Sequence, residues 1–271
     1  MLYGTDDGIY LSDREKHGMV PDKVLDARKV TQIDILGEYR LLLVLSNKIL
    51  QSYSLMNLDS PTFPILQNPN TLQTHCSFFK TGVCMDKSMV SCVKSGSLST
   101  TIKVFAMRHS AANGDSVERG CTEFELFKEF YIPRETFSVH FLASKICVAG
   151  PQGFEVVSLE TLETQMLLDV GDTTLEFAHK KGSRPIHMQR IGEEFLLNYS
   201  EFSFFVARNG MRAQPQFLLN WEGSPQSFTV SYPWIFAFEP KFIELRNIET
   251  GAVHIVLHKN IRMLHSNLQE V

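Results

Sequence analysis

Residues 146–161 read ICVAGPQGFEVVSLET, and residues 235–250 read IFAFEPKFIELRNIET. The two align without a gap at an offset of 89 residues. Ile146 falls on Ile235, Pro151 on Pro240, Glu155 on Glu244, and Glu160-Thr161 on Glu249-Thr250. Apolar positions agree between the identities: Val148 with Ala237, Phe154 with Ile243, Val156 with Leu245, Leu159 with Ile248. Each copy is an apolar run, a short polar turn and a second apolar run. That is the outline of two strands joined by a tight turn.

The outline recurs along the chain. LLVLSNKILQSYSL (42–55), EFLLNYSEFSFFVARNG (194–210) and LYGTDDGIYL (2–11) share it. Copies begin near Leu2, Leu41, Met89, Ile146, Phe195 and Ile235, at spacings of about 39, 48, 57, 49 and 40 residues, the length of a propeller blade. Further strand signals lie between the copies, at Ser77-Phe78-Phe79, Ser138 to Phe141, Ile186 to Gln189 and Ser227 to Val230. Glu123 to Phe130 (EFELFKEF) alternates with period two and reads as a strand. Four strands per unit fits a β-propeller. The expected fold is therefore all-β, a single domain over residues 1–271. Seven blades of four-stranded antiparallel sheets are expected, with the two chain ends completing one blade. Six blades are the alternative. A two-sheet sandwich has no need of a repeat near 40 residues.

Ile261 to Val271 reads as the start of a further unit. MRHSAANGDSVERG (107–120) reads as a polar insertion, and SPTFPILQNPN (60–70), with three prolines, as an extended connector.

Composition narrows the function. Of 271 residues, 44% are apolar and 21% charged, ordinary for a globular chain that buries its own core without metal or disulfide staples. The net charge of −4 and pI near 6.1 carry no overall basic footprint for nucleic acid. No apolar run is long enough to span a membrane as a helix, and no secretory signal pattern opens the chain. Both ends fall within strand-like sequence, so the chain is expected to be a domain of a longer protein. The five cysteines, Cys76, Cys84, Cys92, Cys121 and Cys147, are odd in number and lack C-x-x-C spacing. They read as reduced thiols of a cytosolic protein.

No catalytic, cofactor or metal motif stands out. The acidic turn Asp6-Asp7-Gly8 lacks the ligand spacing of a calcium loop and reads as a hairpin turn, with Asp-Gly supplying positive φ. Neither G-x-x-x-x-G-K-[ST] nor G-x-G-x-x-G nor G-x-S-x-G occurs. Ser138 and His140 share a strand face, as do His254 and His258, without a recognisable third partner. The chain therefore reads as a non-enzyme. Residues 204–228 (FFVARNGMRAQPQFLLNWEGSPQSF) are of more interest. They hold Arg208, Arg212 and Trp221, residue types enriched at binding hot spots, although Trp221 reads equally as a core residue. Arg134, in KEFYIPRET (128–136), and Lys80 complete a candidate basic and aromatic protein-binding set.

The ordered series LYGTDDGIYLSD, VTQIDILGEYRLLLVLSNKILQSYSL, HCSFFKTGVC, STTIKVF, KEFYIP, SVHFLASKICVAGPQGFEVVSLETLETQMLLD, FLLNYSEFSFFVARNG, NWEGSPQSF and IFAFEPKFIELRNIETG resembles the citron homology (CNH) domain. It is most similar to the CNH domain at the C-terminus of fungal Rho guanine-nucleotide exchange factors, and the resemblance covers nearly the whole chain. The resemblance implies a non-catalytic regulatory domain in a parent that also carries exchange and pleckstrin-homology domains. It implies binding of a Rho-family small GTPase, a cytoplasmic location at the cell cortex near polarised growth, and a part in cell-wall integrity signalling. The alternative it leaves open is an intramolecular regulator of the parent's other domains, or a membrane-proximal adaptor that localises the parent, without direct GTPase contact. Members share no catalytic residues, so none is carried over, and neither nucleic acid nor a cofactor is implied.

Overall fold

The structure, a computed structural model, describes residues 1–12, 20–55, 66, 69–109, 122–179, 182–261 and 263. The expected insertion at 107–120, the connector at 60–70, Cys121 and the further unit from Ile261 lie wholly or largely outside the described residues. By contacts the chain divides into Met1–Pro133 and Arg134–Val271.

The first unit holds three antiparallel sheets, each with its strands in chain order. One is β1 (Leu2–Gly4), β2 (Gly8–Leu11) and β3 (Asp22–Asp26). The next is β4 (Val30–Leu36), β5 (Leu41–Ser46), β6 (Ile49–Ser54) and β7 (Asn70–Thr74). The last is β8 (Phe78–Cys84), β9 (Lys87–Ser95), β10 (Thr100–His109) and β11 (Thr122–Ile132).

The second unit repeats the plan. Its sheets are β12 (Ser138–Phe141), β13 (Lys145–Gly150), β14 (Gly153–Ser158) and β15 (Thr164–Met166); then β16 (Pro185–Ile191), β17 (Glu194–Tyr199), β18 (Phe202–Val206) and β19 (Arg212–Ala213), with β20 (Leu219–Asn220) also paired to β18; and β21 (Ser227–Ser231), β22 (Trp234–Phe238), β23 (Phe242–Asn247) and β24 (Val253–Leu257). Every hairpin legible in the sequence forms the β1–β2 pair of the first sheet or the two middle strands of a later one. The fold is all-β and propeller-like, with six sheets among the described residues.

The reason lies in what each sheet covers. The β5 run LLLVL is apolar at successive positions, which a one-sided sheet would not tolerate. Its residues divide by parity. Leu42 and Val44 pack with Ile9 and Val24 of the preceding sheet, whereas Leu41, Leu43 and Leu45 pack with Phe79, Val90 and Cys92 of the following one. The second unit does the same at β17: Leu197 and Tyr199 join Phe154 and Val156, while Leu196 joins Phe228 and Ile235. Within each unit, consecutive sheets thus stack face to face, and the hairpin of the middle sheet is buried on both sides.

The two opening repeats superpose in register. Ile146 faces Val157 across β13–β14, and Ile235 faces Arg246 across β22–β23, each pair displaced by the same 89 residues. Their shared Glu-Thr closes the same turn. The Thr161 N–H donates to the Ser158 hydroxyl at 3.2 Å, and the Thr250 N–H to the Asn247 side-chain oxygen at 2.9 Å.

The turn at Asp6-Asp7-Gly8 differs from its expected chemistry. None of the three residues has positive φ. Instead the Thr5 hydroxyl accepts the Gly8 N–H at 3.1 Å, and the Thr5 N–H donates to the Gly8 carbonyl at 2.9 Å. Glycine is needed at position 8 because a Cβ there would lie 2.4 Å from the Leu25 carbonyl oxygen. Lys23 bridges Asp7 at 3.6 Å and Asp26 at 2.7 Å, so the acidic turn is met by an ammonium group.

Candidate functional site

The five sequence-derived binding residues fall in very different surroundings. Lys80 belongs to the first unit and the other four to the second. On β8, Lys80 is half-buried, and burial holds its ammonium below the ordinary lysine pKa against the opposing pull of Asp34. Arg134 precedes β12 and pairs with Glu155 of β14, both largely covered. Trp221 is 7% exposed. Its indole N–H donates to the Ser203 hydroxyl at 3.0 Å, which in turn donates to the Asn198 side-chain oxygen at 2.7 Å, and its ring tilts against Phe228 at 5.3 Å. The indole is therefore part of the interior.

Arg208 lies in the turn between β18 and β19 and Arg212 opens β19, yet the two point to different tasks. Gly210 makes that turn, with φ at +84° and a backbone so close to Leu167 that a Cβ would meet its carbonyl oxygen at 2.2 Å. Asn209 supports it by accepting the Met211 N–H at 3.1 Å. Arg212 turns inward. Its guanidinium donates to the Pro215 carbonyl at 2.9 Å and the Thr174 carbonyl at 3.3 Å, and sits 5.0 Å from the centre of the Phe177 ring. Its backbone N–H donates to Asp172 at 2.8 Å. That hydrogen bond, with a second from Thr174, holds the Asp172 carboxyl below the usual aspartate range. Arg212 is thus a clamp between the 172–177 segment and the chain beyond β19.

Arg208 turns outward and is 60% exposed. Its guanidinium meets the Glu193 carboxylate at 2.5 Å, and Arg190 reaches the other oxygen of the same carboxylate at 3.4 Å. Arg190 is held in place by donating its Nε–H to the Gly192 carbonyl at 2.9 Å. Two guanidinium groups around one carboxylate leave a positive charge in excess. Beside them Met211 is 47% exposed. Arg190, Glu193 and Met211 were not singled out from the sequence. RIGEE reads only as a turn, and nothing in it signals that the turn meets Arg208.

The other chemical candidates are structural. The Ser138 hydroxyl lies 3.1 Å from Nε2 of His140, and His140 is buried edge-on to His187 with ring centroids 5.4 Å apart. His254 packs on Trp234, whereas His258 lies beyond β24 with Nδ1 2.8 Å from the Lys259 carbonyl oxygen. Among the described residues, no three His, Cys, Asp or Glu side chains are grouped to hold a metal, and no helix is long and apolar enough to cross a membrane. Cys76, Cys84, Cys92 and Cys147 are buried thiols outside any disulfide. Burial pushes Cys84 up to about 11.

Stacked antiparallel sheets, mostly of four strands, define a propeller-like all-β domain. The chain belongs to the CNH domain family, whose model matches residues 1–267. Similar proteins include Rho1 guanine nucleotide exchange factor 1 of Schizosaccharomyces pombe, 45% identical over 97% of this chain and 21% of its own length. RHO1 GDP-GTP exchange protein 2 of Saccharomyces cerevisiae is 33% identical over 100% of this chain and 21% of its length. The chain therefore spans about a fifth of these curated relatives. Among solved structures, the AfRom2 CNH domain is 49% identical, with a TM-score of 0.86 over 99% of this chain and 84% of that one.

Proposed function

We propose that this CNH domain is the non-catalytic, regulatory interaction module of a Rho guanine-nucleotide exchange factor, and that it binds a Rho-family small GTPase. The reading rests on one observation above the others: 45% identity to a Rho1 exchange factor along 97% of the chain. Nucleotide exchange itself belongs to other domains of the parent. The module acts at the cytoplasmic side of the cell cortex, near sites of polarised growth, and feeds cell-wall integrity signalling.

Of the five candidate residues, Arg208 alone stands exposed, and the contact is assigned to its turn, with Arg190 and Met211 beside it. A basic rim with an exposed thioether suits an acidic protein surface that also offers an apolar spot. Calorimetric titration of the 271-residue chain with a Rho GTPase, nucleotide-free and loaded with GDP or a GTP analogue, tests this directly. Saturable binding in at least one state is expected, weakened about tenfold or more by Arg208→Glu with Met211→Ala, as for hot-spot residues. Silence in all three states would sink GTPase recognition, and unchanged affinity in the double variant would sink this surface.

A further inference from the structure

A cleft of about 390 Å³ opens between the β16–β20 sheet and the β21–β24 sheet. Arg190, Arg208 and Met211 are not among its lining residues, so the proposed GTPase contact does not account for it. Its apolar surfaces come from Ile191 at the end of β16, Phe205 of β18, Phe217 between β19 and β20, and Ile248 in the turn after β23. Phe205 and Phe217 meet edge to face with centroids 4.8 Å apart, which gives the floor a fixed shape. Above this floor stand two carboxylates, Glu194 and Glu249.

Both carboxylates are held, and neither is neutralised. Gln214 donates to Oε2 of Glu194 at 2.5 Å, and the Tyr232 hydroxyl donates to Oε1 of Glu249 at 2.7 Å. Each group thereby keeps its second oxygen for another donor. No ion pair reaches either one among the described residues, although Arg190 stands four residues before Glu194 and Arg208 pairs with Glu193 beside it. Both of those arginines are spent on Glu193, the residue next to Glu194. The cleft therefore combines an aromatic and aliphatic floor with two braced anionic groups that lack a cation.

We infer that this cleft is a binding site for a lysine or arginine side chain carried by a partner polypeptide. The chemistry follows from the lining. Long basic side chains bring an apolar stem and a cationic head, and the floor and the carboxylates match those two parts in turn. Hydrogen bonds in which the donor or the acceptor is charged are roughly twice as strong as neutral ones. The volume is near the lower end of ligand pockets, which run from about 300 to 1,000 Å³, and admits one such side chain with the backbone that carries it. Tyr232, 41% exposed at the mouth, offers that backbone an amphipathic edge.

The test uses the whole chain with methyl-labelled isoleucines. The probe is the blocked pentapeptide Gly-Leu-Arg-Leu-Gly, set against the same peptide with neutral citrulline in place of arginine. The arginine peptide is expected to shift the Ile191 and Ile248 methyl signals saturably, and to bind about tenfold more tightly than its citrulline counterpart. Glu194→Gln with Glu249→Gln should abolish that preference. If the double variant does not fold, Glu249→Gln alone, at an exposed position, should still reduce it. The inference is overturned if the two methyls do not move, if citrulline binds as well as arginine, or if the preference survives in the folded variants. Equal affinity of N-acetyl-arginine methylamide and the peptide also overturns it, because the site would then serve free cations. None of these outcomes depends on whether the chain binds a GTPase.

Discussion

Arg212, which opens β19, and Arg208, in the turn before it, stand four residues apart, yet one is a structural clamp and the other a surface group. Arg212→Ala leaves two backbone carbonyls without their charged donor, and should lower stability by about 1.5–3 kcal/mol in urea unfolding. Arg212→Lys should recover little of this, because an ammonium cannot reproduce the planar fork. Arg208→Ala should cost under about 1 kcal/mol, as an exposed pair with Glu193 is worth little. A pH effect belongs to the same clamp. The folded pKa of Asp172 lies below its unfolded value near 3.8, so its contribution is fully present above that value. It is lost as pH falls through the lowered folded pKa. Carboxyl NMR should place the Asp172 midpoint below 3.8, and Arg212→Ala, which leaves the backbone N–H in place, should shift it only slightly. Sequence signals did not separate these residues. Arginine in a turn and tryptophan near a turn look alike whether they face solvent or core, and Trp221 satisfies its N–H internally through Ser203.

Strands and their turns were far more legible, for period-two alternation and turn residues are local properties. The first strands of three sheets in the second unit, β12, β16 and β21, emerged where Ser138, Ile186 and Ser227 opened short apolar runs. β11 shows the limit of pattern reading. Its alternation slips at Leu126-Phe127, where a bulge sets Val104 against Lys128 and Phe105 against Leu126. The extra residue resets the faces and turns Leu126 outward, 48% exposed. The all-apolar β5 run carries the opposite message, burial on both faces. Leu42→Ala and Leu43→Ala should therefore each cost about 2–5 kcal/mol by denaturant unfolding, although they point in opposite directions. A near-neutral result for either would mean that one face of this sheet is open. The repeated glutamate of the opening hairpins makes a second test. Glu244 is buried against Arg246, whose contact with Glu222 is longer at 3.8 Å. Glu244→Ala should destabilise by about 3–5 kcal/mol, and Glu244→Gln by less, since the amide oxygen still accepts a hydrogen bond.

Across the whole molecule, stability rests on apolar contact between consecutive sheets within each unit, while most ion pairs stand at the surface. Raising the salt concentration from 0.1 to 1 M should therefore change the melting temperature little, by a few degrees at most. The same change should weaken an electrostatically guided GTPase contact clearly, so salt separates the scaffold from its proposed use. The sequence by itself determined the all-β class, the strand-turn-strand repeat, its spacing and its register. Each follows from alternation and turn chemistry between residues close along the chain. Only the tertiary structure decided which charges meet and which are left unmet. Arg208 finds Glu193 in another turn and Arg134 finds Glu155 on β14, while Glu194 and Glu249, 55 positions apart, come to line one cleft. The two ion pairs depend on how strands lie side by side within a sheet and the cleft on how neighbouring sheets stack, and such distances leave no periodic trace in the order of residues.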